Sequence, residues 1–296
     1  MALAASILLP VFFLAQGQDP SLLRMAEEAE LFAQSASQLI AEETLTQKSA
    51  KQEKRAFFRV GQSALEPPKL VMQERELKSE FGYAQMMQDG QPIFHEARQV
   101  VSVDGKPVQS QDKARRKLVS GLKSEGDEAK KNLLEDLQKH GLDRSATDFS
   151  LMILLFRARN LPLLDILFGR LSNLGAEQAL VYSFREKSGE GSFTIFNGKE
   201  MVHQRLRGEI WLRRSDGMPL RITFGAILSL PNGAIVRDDG QVDYVRSDSG
   251  VVTPVASRYQ RTEAAVLVSE TVFSYSKFQK FSAASDLKFP EGSGKR

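Results

Sequence analysis

Histidine is a side chain that often supplies acid–base catalysis or metal ligands, and this chain has three of them. His95, His140 and His203 are far apart in the sequence, and no two have the spacing of metal ligands on one helix. The chain has no cysteine, which excludes disulfides, thiolate metal sites and cysteine nucleophiles. We therefore expect no metal site and no cofactor.

A Ser-x-x-Lys spacing, which places a lysine amine beside a serine nucleophile on the helix of some acyl transferases, begins at Ser110 and again at Ser274. The first copy lacks the accompanying Ser-Asp-Asn and Lys-Thr-Gly elements. The second falls in a predicted strand, where residues three apart face opposite sides. The sequence has no Gly-x-Ser-x-Gly elbow and no phosphate-binding glycine loop. These patterns predict no catalytic residues and a protein that is not an enzyme.

Acidic residues cluster at Asp238, Asp239 and Asp243, but the twelve-residue calcium-loop pattern is absent and a hairpin turn accounts for two of them. Glu96 and Asp104 could be paired as glycosidase carboxylates, yet any β-rich protein offers such pairs. A hydrolase with a dispersed site remains a third hypothesis, without a nucleophile–base pair to support it.

The composition is that of an ordinary globular protein of 296 residues, with 42% hydrophobic and 26% charged residues. The 40 basic and 37 acidic residues give a net charge of +3, which is too balanced for a nucleic-acid-binding surface. A single β domain of this length is common. We expect a large apolar core and no nucleic-acid partner.

The first residues resemble an export signal. Residues 2–15 form an almost unbroken apolar run, and no charged residue precedes Asp19. The run is shorter than the roughly 20 residues that span a bilayer, and Ala15 and Gly17 are small residues before a cleavage point. We predict a cleavable signal peptide over residues 1–17, hence a periplasmic or secreted chain that is not integral to the membrane. No cysteine follows for a lipid anchor. A buried N-terminal helix is the alternative.

A helix is expected directly after this segment, because Asp19 can accept a hydrogen bond from an orphan amide and Pro20 suits the first turn. Apolar residues at spacings of three and four give it one stripe, consisting of Leu22, Met25, Ala29, Phe32, Ala36 and Leu39. The polar residues 48–54 predict a linker.

Strand patterns begin at residue 55. Asp89-Gly90 predicts a tight hairpin, and residues 163–281 carry turn signals at regular intervals, which is typical of an antiparallel meander. The clearest strand has seven apolar residues in strict alternation, namely Met218, Leu220, Ile222, Phe224, Ala226, Leu228 and Leu230. Residues 282–296 are expected to be a flexible tail.

A charged segment interrupts these strands. Residues 111–141 are dense in charges and predict two helical pieces, and the almost wholly apolar residues 148–156 predict a further helix. The elements together predict a mainly β protein with helices: a large curved antiparallel sheet, or incomplete barrel, with the N-terminal helix on its concave side. We expect one domain over residues 18–281, with a helical insertion at about 111–157.

Two stretches, RGEIWLRRSDGMPLRITF at residues 207–224 and SETVFSYSKFQKF at residues 269–281, carry a family resemblance. They resemble strands of the outer-membrane lipoprotein-sorting proteins, the LolA/LolB-like half-barrel superfamily. An N-terminal helix after a signal peptide also agrees with that family, whereas the segment 111–156 has no counterpart in its small carriers. The resemblance implies a half-barrel with an apolar concave surface.

The first functional hypothesis is a non-enzymatic binding protein of the bacterial envelope that shelters a lipid, an acyl chain or another apolar ligand, with a lipoprotein as a further partner. Strand parity selects the lining residues Trp211, Leu220, Ile222, Phe224, Phe273 and Tyr275. For Trp211, packing beneath the charged insertion is the alternative to lining a cavity. The second hypothesis is a structural or interaction protein that docks on an envelope partner through the charged helices 111–141.

Overall fold

The structure is a computed structural model. It describes residues 19–52, 70–88, 90–124, 126–134, 137–142, 148–187, 191, 193–197, 200–229 and 233–281. This part of the chain contains thirteen strands and three α-helices. The helices are α1 (Pro20–Ser35), α2 (Gln111–Lys123) and α3 (Asp127–Lys131), with 3₁₀ helices at Ala36–Gln38, Leu137–His140, Phe149–Phe156 and Leu161–Leu163. The strands are β1 (Leu39–Gln52), β2 (Leu70–Gln88), β3 (Gln91–Val103), β4 (Lys106–Pro107), β5 (Leu164–Leu174), β6 (Glu177–Glu186), β7 (Phe193–Asn197), β8 (Glu200–Gln204), β9 (Arg207–Arg213), β10 (Pro219–Ser229), β11 (Ile235–Arg246), β12 (Val252–Glu263) and β13 (Val266–Lys280).

Eleven of these strands form one antiparallel sheet in the order β4-β3-β2-β1-β13-β12-β11-β10-β9-β6-β5, and β7 pairs with β8 separately. The first and last strands, β1 and β13, lie side by side near the middle of the order. Between the described residues of the two outermost strands no pairing closes the sheet. The predicted incomplete barrel with a large antiparallel sheet is therefore confirmed.

Local turn chemistry shapes most of the hairpins. Gly90 has a positive φ of 75° between β2 and β3, and Asp104 and Gly105 have φ values of 48° and 74° between β3 and β4. Two consecutive positive φ values are those of the tight hairpin turn that matches the twist of the flanking strands. The Asp-Gly pairs in the sequence were thus sufficient to predict these hairpins.

Helix α1 begins as the sequence predicts, since the Asp19 carboxylate accepts the backbone N–H of Ser21 at 2.9 Å and Pro20 is the first helical residue. Its end was predicted too late. The helix stops at Ser35, and Leu39 already begins β1. Met25, Ala29 and Phe32 are fully buried, so the helix inserts one apolar stripe into the core.

The predicted polar linker at residues 48–54 is wrong over its first five residues, because β1 continues to Gln52. Its inward-facing positions include Glu43, Gln47 and Ser49, which are buried and polar. Gln47 donates to the Thr271 hydroxyl at 3.1 Å. A strand whose inner face is polar does not show the alternation of apolar and polar residues by which strands are found.

The predicted insertion divides between the two faces of the sheet. The charged helices α2 and α3 lie on β2 and β3, where they form a second small core with the face that points away from α1. Its members are Ile40, Ala84, Ala97, Leu118, Val119, Leu122, Leu133 and Phe281. The apolar Phe149–Phe156 helix instead enters the main core on the concave side.

No helix in the described ranges is long and apolar enough to cross a bilayer. The predicted signal peptide at residues 1–17 and the tail at 282–296 lie outside those ranges.

Three neighbouring strands approach one another closely at glycines. Gly208 and Gly240 stand on either side of Phe224 in the register of β9, β10 and β11. A Cβ on Gly208 would lie 1.9 Å from the Thr223 carbonyl oxygen, and one on Gly240 would lie 2.0 Å from the Phe224 ring. Only glycine permits this packing, and no rotamer change can relieve a clash with backbone.

We predict that Gly208→Ala lowers the free energy of unfolding by about 1–3 kcal/mol, because β9 and β10 must move apart to admit the methyl group. Urea denaturation measures the change. The matched control is Gly126→Ala before α3, where a Cβ would meet nothing closer than 3.9 Å, and its cost should stay below about 1 kcal/mol. Equal losses in the two variants would contradict the close approach of the strands.

Candidate ligand site inside the half-barrel

Five of the six predicted lining residues lie together on the concave face. Leu220, Ile222, Phe224, Phe273 and Tyr275 are all less than 8% exposed and belong to one core cluster. Trp211 packs against this cluster but is only partly buried, because it has the opposite parity to its buried neighbours on β9. Its indole N–H donates to Glu209 at 3.2 Å, and the guanidinium of Arg170 lies 5.3 Å from its ring centroid.

The concave face is occupied by the 3₁₀ helix Phe149–Phe156, which we call the plug. The ring centroid of Phe149 lies 5.5 Å from that of Phe224 and 4.7 Å from that of Tyr259, both as stacked pairs. Phe156 meets Phe184 edge to face at 5.1 Å. The predicted lining residues therefore contact a segment of the chain itself.

Helix α1 packs against the plug. Arg157, directly after the plug, forms a bidentate ion pair with Glu30 of α1, with a shortest distance of 2.7 Å. On the same helix the fully buried Glu28 accepts hydrogen bonds from Arg24 and from Arg246 of β11, each at 2.6 Å. These contacts connect the plug, α1 and the sheet as one packed unit.

A buried ionic triad lies at the start of the plug. Arg98 of β3 donates two hydrogen bonds to Glu43 of β1, at 2.6 and 2.8 Å, and a third to Glu96 at 2.5 Å. All three side chains are at most 3% exposed. The guanidinium also lies 5.2 Å from the Phe81 ring centroid and 5.5 Å from that of Phe273, so aromatic faces replace water around it.

The two carboxylates of the triad have different electrostatics. Burial raises the pKa of Glu43 above its ordinary value, although Arg98 acts in the opposite direction. Burial would also raise the pKa of Glu96, but the charge of Arg98 and the hydrogen bonds from Ser150 outweigh it and hold that pKa below its ordinary value. Glu96, the carboxylate with the lowered pKa, is the one that accepts the hydrogen bonds of the plug.

Polar contacts hold the beginning of the plug. The backbone N–H and the hydroxyl of Ser150 donate to Glu96 at 2.8 and 2.5 Å. The backbone N–H of Ile153 donates to the Tyr244 hydroxyl at 3.1 Å. Asp148, in a left-handed conformation with φ 70°, accepts the Glu96 backbone N–H at 2.7 Å and pairs with His95 at 3.0 Å. The sequence analysis missed Glu43, Arg98 and Ser150, because their spacing in the sequence does not indicate that their side chains are in contact.

The other chemical candidates have structural roles. Ser110 caps α2 by accepting the Lys113 backbone N–H at 3.4 Å, and Lys277 pairs with Glu42 at 2.9 Å. Asp104 pairs with Arg75 rather than with Glu96. Within the described part of the chain no three side chains are grouped to hold a metal ion. The acidic cluster is bonded to neighbouring side chains, in the pairs Asp238–Tyr259, Asp239–Arg237 and Asp243–Arg221.

Comparison with known proteins gives structural matches of low similarity. A DUF1329 family protein from Desulfovibrio piger matches with a TM-score of 0.36 and 13% identity, over 93% of this chain and 98% of that chain. A LolA superfamily protein from Nitrosomonas europaea matches with a TM-score of 0.31 and 10% identity, over 88% of this chain and 94% of that chain. MucB in complex with MucA matches with a TM-score of 0.20 and 9% identity, over 88% of this chain and 99% of that chain. No family model and no curated protein sequence matches the chain.

The described part of the chain forms an open antiparallel sheet of eleven strands with an N-terminal helix among its core elements. At these similarities no site residue is transferred from any of the three proteins. The interior is mainly apolar, and its buried charged side chains include the Arg98 triad, Glu28 and the Asp238–Arg261 pair.

We predict that Arg98→Met destabilises the protein by about 3–5 kcal/mol at pH 7, because it leaves two carboxylates buried without a counter-charge. The loss should shrink as the pH falls and the carboxylates take up protons. Urea denaturation at pH 7 and pH 5 measures both effects. The control is the triple variant Arg98→Met, Glu43→Gln, Glu96→Gln, which removes the charges together and should recover part of the loss. If the single and triple variants are equally unstable, packing rather than charge explains the effect.

The His95–Asp148 contact predicts a pH dependence. The hydrogen bond that the His95 ring donates to the Asp148 carboxylate raises the pKa of His95 above its ordinary value of 6.5, although partial burial opposes it. The stabilisation is therefore complete below about pH 6.5 and is lost as the pH rises through the higher folded-state pKa. Since both side chains are about one-third exposed, the contribution should stay below about 1 kcal/mol. NMR titration of the His95 ring should give a lower pKa in Asp148→Asn, and an unchanged titration would contradict the pairing.

Proposed function

We propose that the protein is an exported, non-enzymatic binding protein whose half-barrel shelters an apolar ligand, such as a lipid or acyl chain, in the bacterial envelope. The observation that carries this proposal is the plug. An apolar stretch of eight residues occupies the concave face where such a ligand would lie, and Phe149, Leu151, Ile153 and Phe156 are its buried side chains.

The plug has features of a segment that can be exchanged. A 3₁₀ helix of eight residues is unusually long, and its internal hydrogen bonds are poorer than those of an α-helix. The plug is therefore held by burial of its side chains and by a few polar contacts at its beginning, rather than by its own backbone. An acyl chain would offer the same apolar contacts and would bring no backbone polar groups into the core.

The polar contacts of the plug also indicate which chemical groups a ligand would carry. If the plug leaves, Glu96 keeps its ion pair with Arg98 and loses its hydrogen bonds from Ser150. A ligand that carries an O–H or N–H donor could take the place of Ser150 at this carboxylate. We therefore expect a preference for a lipid with a hydroxyl, amide or amine near its chain over a plain hydrocarbon.

The location and the domain organisation complete the proposal. A signal peptide at residues 1–17 would deliver the chain to the periplasm or outside the cell, and residues 18–281 would act as one β-rich domain. The partner that gives or takes the ligand would then be a membrane lipid, a lipoprotein or an envelope protein. Metal ions and cofactors have no part in this function.

We predict that native mass spectrometry of the chain, purified from periplasm without detergent, detects an acyl species in stoichiometric amount that organic extraction removes. Extraction followed by lipid analysis identifies the ligand class. A clean apo mass, which stays apo after incubation with a total lipid extract, would contradict the proposal and favour the interaction-protein alternative.

Displacement of the plug can be measured with the same protein, because the chain has no cysteine. Ile153→Cys places a thiol on the plug, and Leu45→Cys places one on β1; both native side chains are at most 1% exposed in the same core cluster. We expect the plug thiol to react at least about 10-fold faster with a thiol reagent, and faster still with sodium palmitate present. Equal rates that palmitate does not change would mean that the plug opens only when the whole protein unfolds.

One observation favours the alternative of an interaction protein. Helix α2 buries Leu118 and Leu122 against β2 and β3, and it leaves Lys113, Arg116 and Lys117 exposed on its other side. This basic surface suits an acidic partner. Because the same helix covers a core cluster, deletion of residues 111–141 would damage the fold, and charge reversal at Lys113 and Lys117 is the cleaner test of docking.

A further inference from the structure

A groove of about 930 Å³ lies on the outer face of the sheet, away from the plug. The residues that line it lie on β5, β6, β9, β10, β11 and β12. Most of them are at the outward positions of these strands, which alternate with the positions that are buried in the core. On β10, for example, Thr223 and Ile227 line the groove, whereas Ile222 belongs to the core. The groove is therefore separate from the interior for which an apolar ligand is proposed.

A row of residues in register crosses the groove. Arg185 of β6 is opposite Arg207 of β9, which is opposite Gly225 of β10, which is opposite Asp239 of β11. Gly225 has no side chain, and the Asp239 carboxylate lies over it, because a Cβ on Gly225 would be 3.0 Å from Asp239 Oδ1. The two arginines therefore stand on one side of Gly225 and this carboxylate on the other.

Most of the charged groups in the groove already have ion partners. Among the described residues these pairs are Arg185–Asp165 at 3.0 Å, Arg237–Asp239 at 2.6 Å, Glu209–Arg170 at 2.6 Å and Arg258–Glu270. Arg207 has no ion pair with any described side chain, although it is exposed and lies directly across from another arginine. Like charges at directly opposite positions on neighbouring strands repel each other, and a bound anion would remove that cost.

We propose that this groove binds a ligand bearing an oxyanion, either a phosphate or a carboxylate, through Arg207 with Arg185 beside it. A guanidinium presents a planar fork of N–H donors that matches the two oxygens of such a group. The exposed apolar side chains of Leu167 and Ile227, which also line the groove, offer contact to the uncharged part of the ligand.

The proposal is tested by NMR titration of the ¹⁵N-labelled chain in an amine buffer, with inorganic phosphate in one arm and citrate in the other. The amides of Gly208, Gly225 and Gly240, all at the groove, are the reporters. We expect saturating shifts at these amides, and the arm with the lower Kd identifies the preferred oxyanion. Shifts that fail to saturate with either anion would overturn the proposal.

Substitutions distinguish specific binding at Arg207 from a general effect of the protein's net charge on anion binding. Arg207→Gln should weaken binding by about 10-fold or more, and Arg207→Lys, which keeps the charge and loses the fork, should have an intermediate effect. Arg159→Gln removes the same charge at an exposed site outside the groove and should change the Kd by less than about 2-fold. An equal loss in Arg159→Gln and Arg207→Gln would show that only net charge matters and would overturn the proposal. Because the plug is on the other face, either result leaves the apolar-ligand proposal unaffected.

Discussion

The guanidinium of Arg98 connects three parts of this fold that are well separated in the sequence. It bonds Glu43 of the first strand and Glu96 of the third, and Glu96 in turn bonds Ser150 of the plug. Removing three charged groups from water is costly, so each group depends on the presence of the other two. Such a cluster adds little net stability over an apolar one, but it penalises every arrangement that leaves one member unpaired. Its effect is to specify where β1, β3 and the plug meet.

The plug and a ligand would compete for the same apolar surface, and the magnitudes allow either to occupy it. Burial of a large apolar side chain contributes about 1.5–3 kcal/mol. Ordering the backbone of a residue costs about 1–2 kcal/mol. The plug has five buried side chains, one of them the polar Ser150, among eight residues, so the two terms are of similar size. A segment balanced in this way can fill the half-barrel without a ligand and still leave it when a better apolar occupant arrives.

The two faces of the sheet differ in chemistry because strand parity sorts them. Along β10 and β11 the inward positions include Ile222, Phe224 and Val242 together with the buried Asp238, whereas the outward positions are mainly charged, polar or glycine, with the exposed Ile227, Ile235 and Val245 among them. Gly208 and Gly240 share the inward side with Phe224, whereas Gly225 is on the outward side that faces the groove. The inner surface is mainly apolar and the outer groove carries charged groups, so the two proposed ligands would occupy separate faces of the sheet.

The sequence alone determined the features that depend on neighbouring residues. The cap at Asp19, the hairpin turns at Asp-Gly pairs and the alternation along β10 follow from local chemistry, and with them the mainly β architecture around a helix. The tertiary structure decided the rest. One reason why strand β1 was missed is that its inward residues are polar. The partners of these residues are far away in the sequence: Arg98 lies 55 residues from Glu43, and Thr271 lies 224 residues from Gln47. The entry of the plug into the half-barrel likewise arises only when distant strands pack, because burial is a property of the folded chain and not of any local stretch.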